Sequence, residues 1–380
     1  MSTQEFSAAH AFTYALRKQY VLPGSGARSI EEIARRLVGV HAARAITPYF
    51  AIDSRIDRHE PGDLHDALHG RATLIKARCM RGTLHLLPIG TFGTAHNATL
   101  AKRMGVCLGR YRKLGIGERA VEVLKADILA SLDQGAEASP AIERLISGRR
   151  ADGVEAVRAV LKGLWEEGAL CCVNATRDFC REQRLYGRME RYYPEFARET
   201  AGERRSSIRR LVRDYLAGYG PAMVGDLVWW SGLEKNTMVS ALDELGDEVL
   251  TLRVRGFDEE FLLPCAEMDE FRAHTPPEDD WVAILAHEDP SLKGYHASRT
   301  RYVDAVHYTK LFNAIGESLP AVMLNGRVIG TWSFDRATAG LSWTPFFRID
   351  GPARALIATE FDKMRRRLPD LLGVTRQLSF

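Results

Sequence analysis

The stretch RRSSIRRLVRDYLAGYGPAMVGDLVWWSGLEKNTMVSALDELGDEVLTLRVRGFDEEFLLP, Arg204 to Pro264, constrains the fold of this chain more than any other. A first amphipathic helix runs to about Leu216 and stops at Gly218 and Gly220. Pro221, a residue favoured at the first helical position, opens a second helix carrying Val224, Leu227 and Val228. Ser231-Gly232-Leu233 makes a tight turn, and a third helix spans roughly Lys235 to Leu245. Two strands follow, joined near Gly256. A helix, a helix-turn-helix and a hairpin in that order are the winged-helix plan.

The same order recurs upstream. Gly153 to Leu170 reads as a long helix running into a strand near Cys171, with a second strand near Arg184 to Gly187. At the N-terminus a helix from Ser29 and a shorter one over GDLHDALHG precede the strand-like ATLIKARCMRGTLHLLP. After Pro264 the texture changes to short apolar and aromatic runs broken by Asn325-Gly326, a strong hairpin signal, and other turn residues. A helical tail covers Pro352 to Leu368. The expected fold is mainly α with β: three tandem winged-helix domains (1–92, 93–200 and 201–264) plus a C-terminal small β-barrel with a terminal helix (265–380). A chain of 380 residues is long enough for this many cores.

Charge is unevenly spread. Residues 1–150 hold 22 Lys/Arg against 14 Asp/Glu, whereas residues 151–300 hold 19 against 28. A basic first third suits a polyanionic partner. No apolar run approaches a membrane span, and the N-terminus lacks the basic start and apolar stretch of a signal peptide. The six cysteines, Cys79, Cys107, Cys171, Cys172, Cys180 and Cys265, form no C-x-x-C pair. Reduced thiols in a cytoplasmic, nucleoid-associated monomer without metal or cofactor are the expectation.

Two stretches carry candidate chemistry. In LVGVHAARAITPYF, Ser29 and Glu32 start a helix, the apolar pattern dies at Arg44, and Pro48 forbids easy continuation. The spacing predicts His41 in the last helical turn, where the helix dipole favours a histidine and where its side chain can also leave the core. In RCMRGTLHLLP, strand alternation predicts Arg81, Thr83 and His85 on one polar face and Leu84 and Leu86 in the core.

GVHAARAITPYFAIDSRI, MRGTLHLLP, LAGYGPAMVGDLVWWSGL, FLLP and NGRVIGTW fall in the order seen in the AlkZ-like alkylpurine DNA glycosylases, which this chain resembles over about residues 10 to 360. The resemblance implies tandem winged helices and a β-barrel around a concave DNA channel. It also places the family's Gln-x-Gln or Gln-x-Asp active-site motif at His41-Ala42-Ala43. This chain departs at both motif positions: His41 replaces the first glutamine and Ala43 replaces the second polar residue.

An alkylated N7 or N3 makes the purine cationic, so it leaves as a neutral species and needs no general acid. The remaining task is to place a water and stabilise an oxocarbenium-like sugar. A neutral imidazole with a pKa near 6.5 suits the first part. His41 is therefore the candidate catalytic residue, with Ala43, Arg81, Thr83 and His85 in support. Arg44, Arg55, Lys102, Arg103, Arg110, Arg112, Lys113 and Arg327 are the candidate contacts to DNA phosphates or grooves. The expected partner is double-stranded DNA with alkylated purines, including bulky natural-product adducts or crosslinks, and the expected activity is base excision in repair or self-resistance. A non-catalytic winged-helix binder or regulator is the alternative, with His41 then a spent position.

Overall fold

The computed structural model describes residues 4–56, 60–148, 153–174, 176, 182–199, 202–335, 337–338 and 340–371, so Cys180 lies outside the described residues. The architecture is mainly helical, with three three-stranded sheets and one four-stranded sheet among the described residues. None of its described helices is long and apolar enough to cross a membrane.

In the segment Arg204–Pro264 a helix spans Arg204–Tyr219, a second Val224–Ser231 and a third Lys235–Leu245. The second begins later than Pro221 because Asp226 turns back to accept the Met223 N–H at 3.1 Å. Gly232 then ends it in the left-handed conformation, φ 69°. Strands Val249–Val254 and Phe261–Pro264 pair antiparallel, and Glu5–Phe6 adds a parallel third strand. Apolar residues on one face of each helix, such as Ile208, Leu211 and Tyr215, are buried together.

Upstream, the helix Gly153–Glu167 leads into strands Leu170–Asn174 and Arg184–Arg188, with Glu137–Ala138 paired to the latter. At the N-terminus, helices Ile30–Arg36 and Pro61–His69 precede the hairpin Leu74–Arg78 and Leu84–Pro88. A long helix, Ile89–Lys113, follows and packs against both Arg204–Tyr219 and Gly153–Glu167. Gly218 is required at one junction between units: a Cβ there would lie 2.1 Å from the Arg36 carbonyl oxygen.

The C-terminal unit is not a barrel. Strands Val282–Leu285, Ala321–Leu324, Arg327–Asp335 and Gly340–Pro345 form an open antiparallel sheet in chain order. Four short strands are too few to close on themselves. The helix Gly351–Leu371 packs on them instead, with Phe361 against Trp332, whose indole N–H donates to the Leu285 carbonyl at 2.8 Å. The Asn325-Gly326 turn occurs as read, both residues at positive φ.

Candidate active site

Ser29 caps its helix as expected, accepting the Glu32 N–H at 3.1 Å, but Glu32 itself accepts from Arg28 rather than from Ser29. The helix stops at Arg36, and Val38 and Gly39 turn left-handed with φ of 49° and 102°. His41 is consequently not in a last helical turn. It belongs to the short strand Val40–His41, in register with His85 on Leu84–Pro88. Glycine is needed at position 39, because a Cβ would sit 3.1 Å from the His85 Cβ. The helix dipole therefore does not account for His41.

The two imidazoles meet edge to face, their centroids 5.7 Å apart. His85 Nδ1 lies 3.1 Å from the Thr83 carbonyl, which makes Nδ1 the protonated nitrogen and leaves Nε2 as an acceptor. His41 Nε2 faces Glu288 Oε2 at 3.5 Å, and its Nδ1 is buried with no hydrogen-bond partner. Glu288 Oε1 accepts the Ser318 N–H at 2.6 Å and pairs with Lys293 Nζ at 3.1 Å. Lys293 also donates to the Gly316 carbonyl at 2.6 Å. These side chains border a cavity of about 30 Å³, which Tyr219 and Trp230 also line. That is room for one water.

Burial sets the protonation states. It lowers the His41 pKa to about 2, helped by repulsion from His85, Lys293, His287 and Arg81. Burial likewise takes His85 to about 4 and Lys293 to about 8, the latter opposed by Glu288. At neutral pH the cavity holds two neutral imidazoles and an ammonium.

Leu84 and Leu86 point into the core as the alternation predicts. Arg81 does not share their strand: it occupies the tight turn Met80–Gly82 at φ 54°, with its guanidinium 3.8 Å from the centre of the Trp229 ring. The Thr83 hydroxyl donates to the Met80 carbonyl at 3.1 Å and so fastens that turn. Ala43 is exposed just beyond the His41 strand.

Among the proposed DNA contacts, Arg44, Lys102, Arg110, Arg112 and Lys113 are exposed. Lys102 reaches the Gly232 carbonyl, and Arg110 pairs with Glu155 at 2.6 Å. Arg55 and Arg103 do not fit a phosphate-contacting role. Arg55 is fully buried on Asp289 at 2.6 Å, and Arg103 is buried on Glu166 at 2.6 Å. Arg327 is engaged by Asp304 and by the carbonyls of Thr300 and Arg301.

Residues 34–367 match the family described as DNA glycosylase AlkZ-like. The chain belongs to this family. Over 344 residues it is 24% identical to an interstrand DNA cross-link repair glycosylase of Streptomyces sahachiroi, spanning 84% of this chain and 86% of that protein. The fold is that of the Streptomyces sahachiroi DNA glycosylase AlkZ, with a TM-score of 0.79 at 22% identity, covering 97% of this chain and 98% of the other.

Glu288 and Lys293 are the charged members of this candidate site that the sequence does not single out. A signal existed: His287-Glu288-Asp289-Pro290 places two carboxylates directly after the apolar run WVAILA, and Asp289 then caps the turn Pro290–Lys293. Charged groups that close to a core strand are buried at a cost unless they are paired or used.

Proposed function

We propose that this protein hydrolyses the N-glycosidic bond of N7- or N3-alkylated purines in double-stranded DNA, bulky natural-product adducts and crosslinks included. The observation that carries the reading is the approach of His41 Nε2 to Glu288 Oε2 at 3.5 Å beside a water-sized cavity. That separation is long for a direct hydrogen bond and suits a water held by both groups. The water oxygen attacks C1′ while the C1′–N bond breaks, its electron pair neutralising the cationic purine. The water proton passes to the Glu288 carboxylate. His41, a weak base with its pKa near 2, orients the water. The negative charge of Glu288 also faces the oxocarbenium-like sugar as it forms. Relative to the sequence expectation, the base is thus the carboxylate and the imidazole is its positioning partner.

Membership in the glycosylase family supports this reading, and the cross-link repair activity in the name of the Streptomyces sahachiroi relative supports extension to bulky lesions. We assign the three three-stranded sheets and their preceding helices to three winged-helix units in a monomeric, nucleoid-associated protein. The expected bounds 1–92, 93–200 and 201–264 shift at the first junction, because the helix Ile89–Lys113 runs across it, and the third unit borrows the strand Glu5–Phe6 from the N-terminus. Arg44, Lys102, Arg110, Arg112 and Lys113 then contact DNA phosphates. Ala43 favours the second reading, a non-catalytic DNA binder, because it leaves the second motif position without a polar atom.

Base release from duplexes carrying N7-methylguanine or a bulky N7 adduct separates the two. Glu288→Gln is expected to slow release by about 10²–10⁴-fold, the usual worth of a general base. Wild-type protein that binds adducted DNA but frees no base overturns the enzymatic reading.

A further inference from the structure

Beside the cavity, the half-buried indole of Trp229 is surrounded by positive charge. The guanidinium carbons of Arg81 and Arg299 lie 3.8 and 4.5 Å from its ring centre, and Lys293 Nζ lies 5.0 Å away. The exposed His296 stacks on the same ring at 5.2 Å. Cation–π attraction explains one such contact readily. It does not explain three cations gathered at one ring, which repel one another, with Glu288 paired to only one of them.

The hydrogen bonds point the same way. Arg299 is 6% exposed; its Nε donates to the Tyr295 carbonyl at 3.0 Å and its Nη1 to the Tyr308 hydroxyl at 2.6 Å. Its Nη2 is buried with no partner. A charged donor left unpaired inside a protein is costly and calls for an explanation. The Arg81 guanidinium makes no hydrogen bond or ion pair among the described residues. It is nevertheless held in place by a left-handed backbone, φ 54°, against which Gly232 packs so closely that a Cβ would lie 3.0 Å from the Arg81 Cα. The unengaged Arg81 fork, the unpaired Nη2 of Arg299 and the positive charge of Lys293 match the oxygens of a phosphate.

We propose that Arg81, Lys293 and Arg299, gathered around Trp229, form a phosphodiester site that grips the backbone phosphate flanking the nucleotide offered to His41 and Glu288. The placement of that nucleotide rests on the glycosylase reading; the anion site itself rests on the cation cluster. A nucleotide turned out of the helix swings about its flanking phosphates, so fixing one of them fixes the sugar relative to the water. The bound phosphate also offsets the positive charge that would oppose a cationic sugar a few residues away.

The test measures binding, not chemistry. A duplex containing a tetrahydrofuran abasic analogue is prepared with each phosphate near the analogue replaced, one at a time, by an uncharged methylphosphonate. Wild-type affinity is expected to fall about tenfold or more at one flanking position, the effect of losing a charge-assisted contact. Arg299→Gln is expected to bind unmodified DNA that much more weakly and to be indifferent to the same methylphosphonate. Because Arg299 is buried, Arg81→Gln on the exposed side provides a second variant; its sensitivity at that position should shrink while its far-UV spectrum and melting temperature match wild type.

Equal sensitivity of wild type and both variants at every position overturns the proposal. So does a wild type that ignores all flanking methylphosphonates but is displaced by millimolar inorganic phosphate, since the site would then take free anion and not the DNA backbone. Base release is scored separately. Coupling without release removes the glycosylase reading and leaves the phosphate site; release without coupling does the reverse.

Discussion

Arg55 and Asp289 meet as a fully buried bidentate pair, Nη2 to Oδ1 at 2.6 Å and Nη1 to Oδ2 at 3.0 Å. The pair joins the N-terminal unit to the C-terminal one immediately beside Glu288. Asp289 also accepts the Ser291 N–H at 2.9 Å and so caps the turn that carries Lys293. The ion pair therefore fixes where both charged members of the cavity stand relative to His41. Removing one partner strands a buried charge, which typically costs 3–5 kcal/mol. Arg55→Ala should lower the unfolding free energy by about that amount and reduce base release even at temperatures where the variant is folded. Denaturant unfolding alongside a release assay checks both. A variant as stable as wild type would mean that the junction does not depend on this pair.

DNA affinity should depend on the exposed cations and not on the buried ones. Arg112→Glu with Lys113→Glu is expected to weaken binding to all sequences and to reduce the slope of log affinity against log salt by about 0.9 per lost phosphate contact. Arg103→Gln should instead act through stability, because Arg103 holds Glu166 and the His96 ring inside the protein. Binding titrations at several salt concentrations distinguish the two; an unchanged slope in the double variant counts against the basic surface as the DNA face.

Arg103 and Arg112 also show where the sequence stops being legible. The helix Lys235–Leu245, the hairpin at Asn325-Gly326 and the burial of Leu84 and Leu86 follow from local period and turn chemistry, and they occur as read. Whether an arginine is solvated or paired depends on residues far along the chain: Glu166 for Arg103, Asp289 for Arg55. The sequence singles out His41 as a candidate but not its strand, because Val38 adopts a left-handed turn that a β-branched residue seldom takes. Glu288 reaches His41 only through tertiary packing. Open and closed sheets read alike strand by strand, so the barrel expectation failed at closure and not at strand content.

Acid should destabilise this protein before its carboxylates titrate. Burial lowers His41 to about 2, His85 to about 4 and His96 to about 3. Unfolded histidine titrates near 6.5. Below that pH the unfolded chain binds more protons than the folded one, so stability is full above 6.5 and is lost as pH falls toward the folded values. Each group contributes on the order of 1 kcal/mol of loss by pH 5.5. Melting temperature should drop measurably between pH 7.5 and 5.5, and less so in His96→Gln if that variant retains the fold. A Tm constant over this range would contradict neutral, buried imidazoles.

The pH profile of base release separates His41 from its neighbours. An imidazole whose pKa is about 2 stays neutral from pH 5 to 8, so release should show no break near 6.5 attributable to His41. His41→Ala should still slow release strongly, because the water loses the group that orients it, while binding to adducted DNA is nearly unchanged. His41→Gln should recover part of the rate by restoring a polar group that holds water without acting as a base. On the alkaline side, burial places Lys293 at about 8, so its ammonium is present below that pH and lost above it. Release should therefore decline as pH rises through 8, as Glu288 loses its cation. Lys293→Arg keeps the charge at all these pH values and should abolish the alkaline decline, whereas Lys293→Gln should be slow throughout. A wild-type break near 6.5 that disappears in His41→Gln would show instead that His41 titrates as an ordinary histidine and takes the water proton itself.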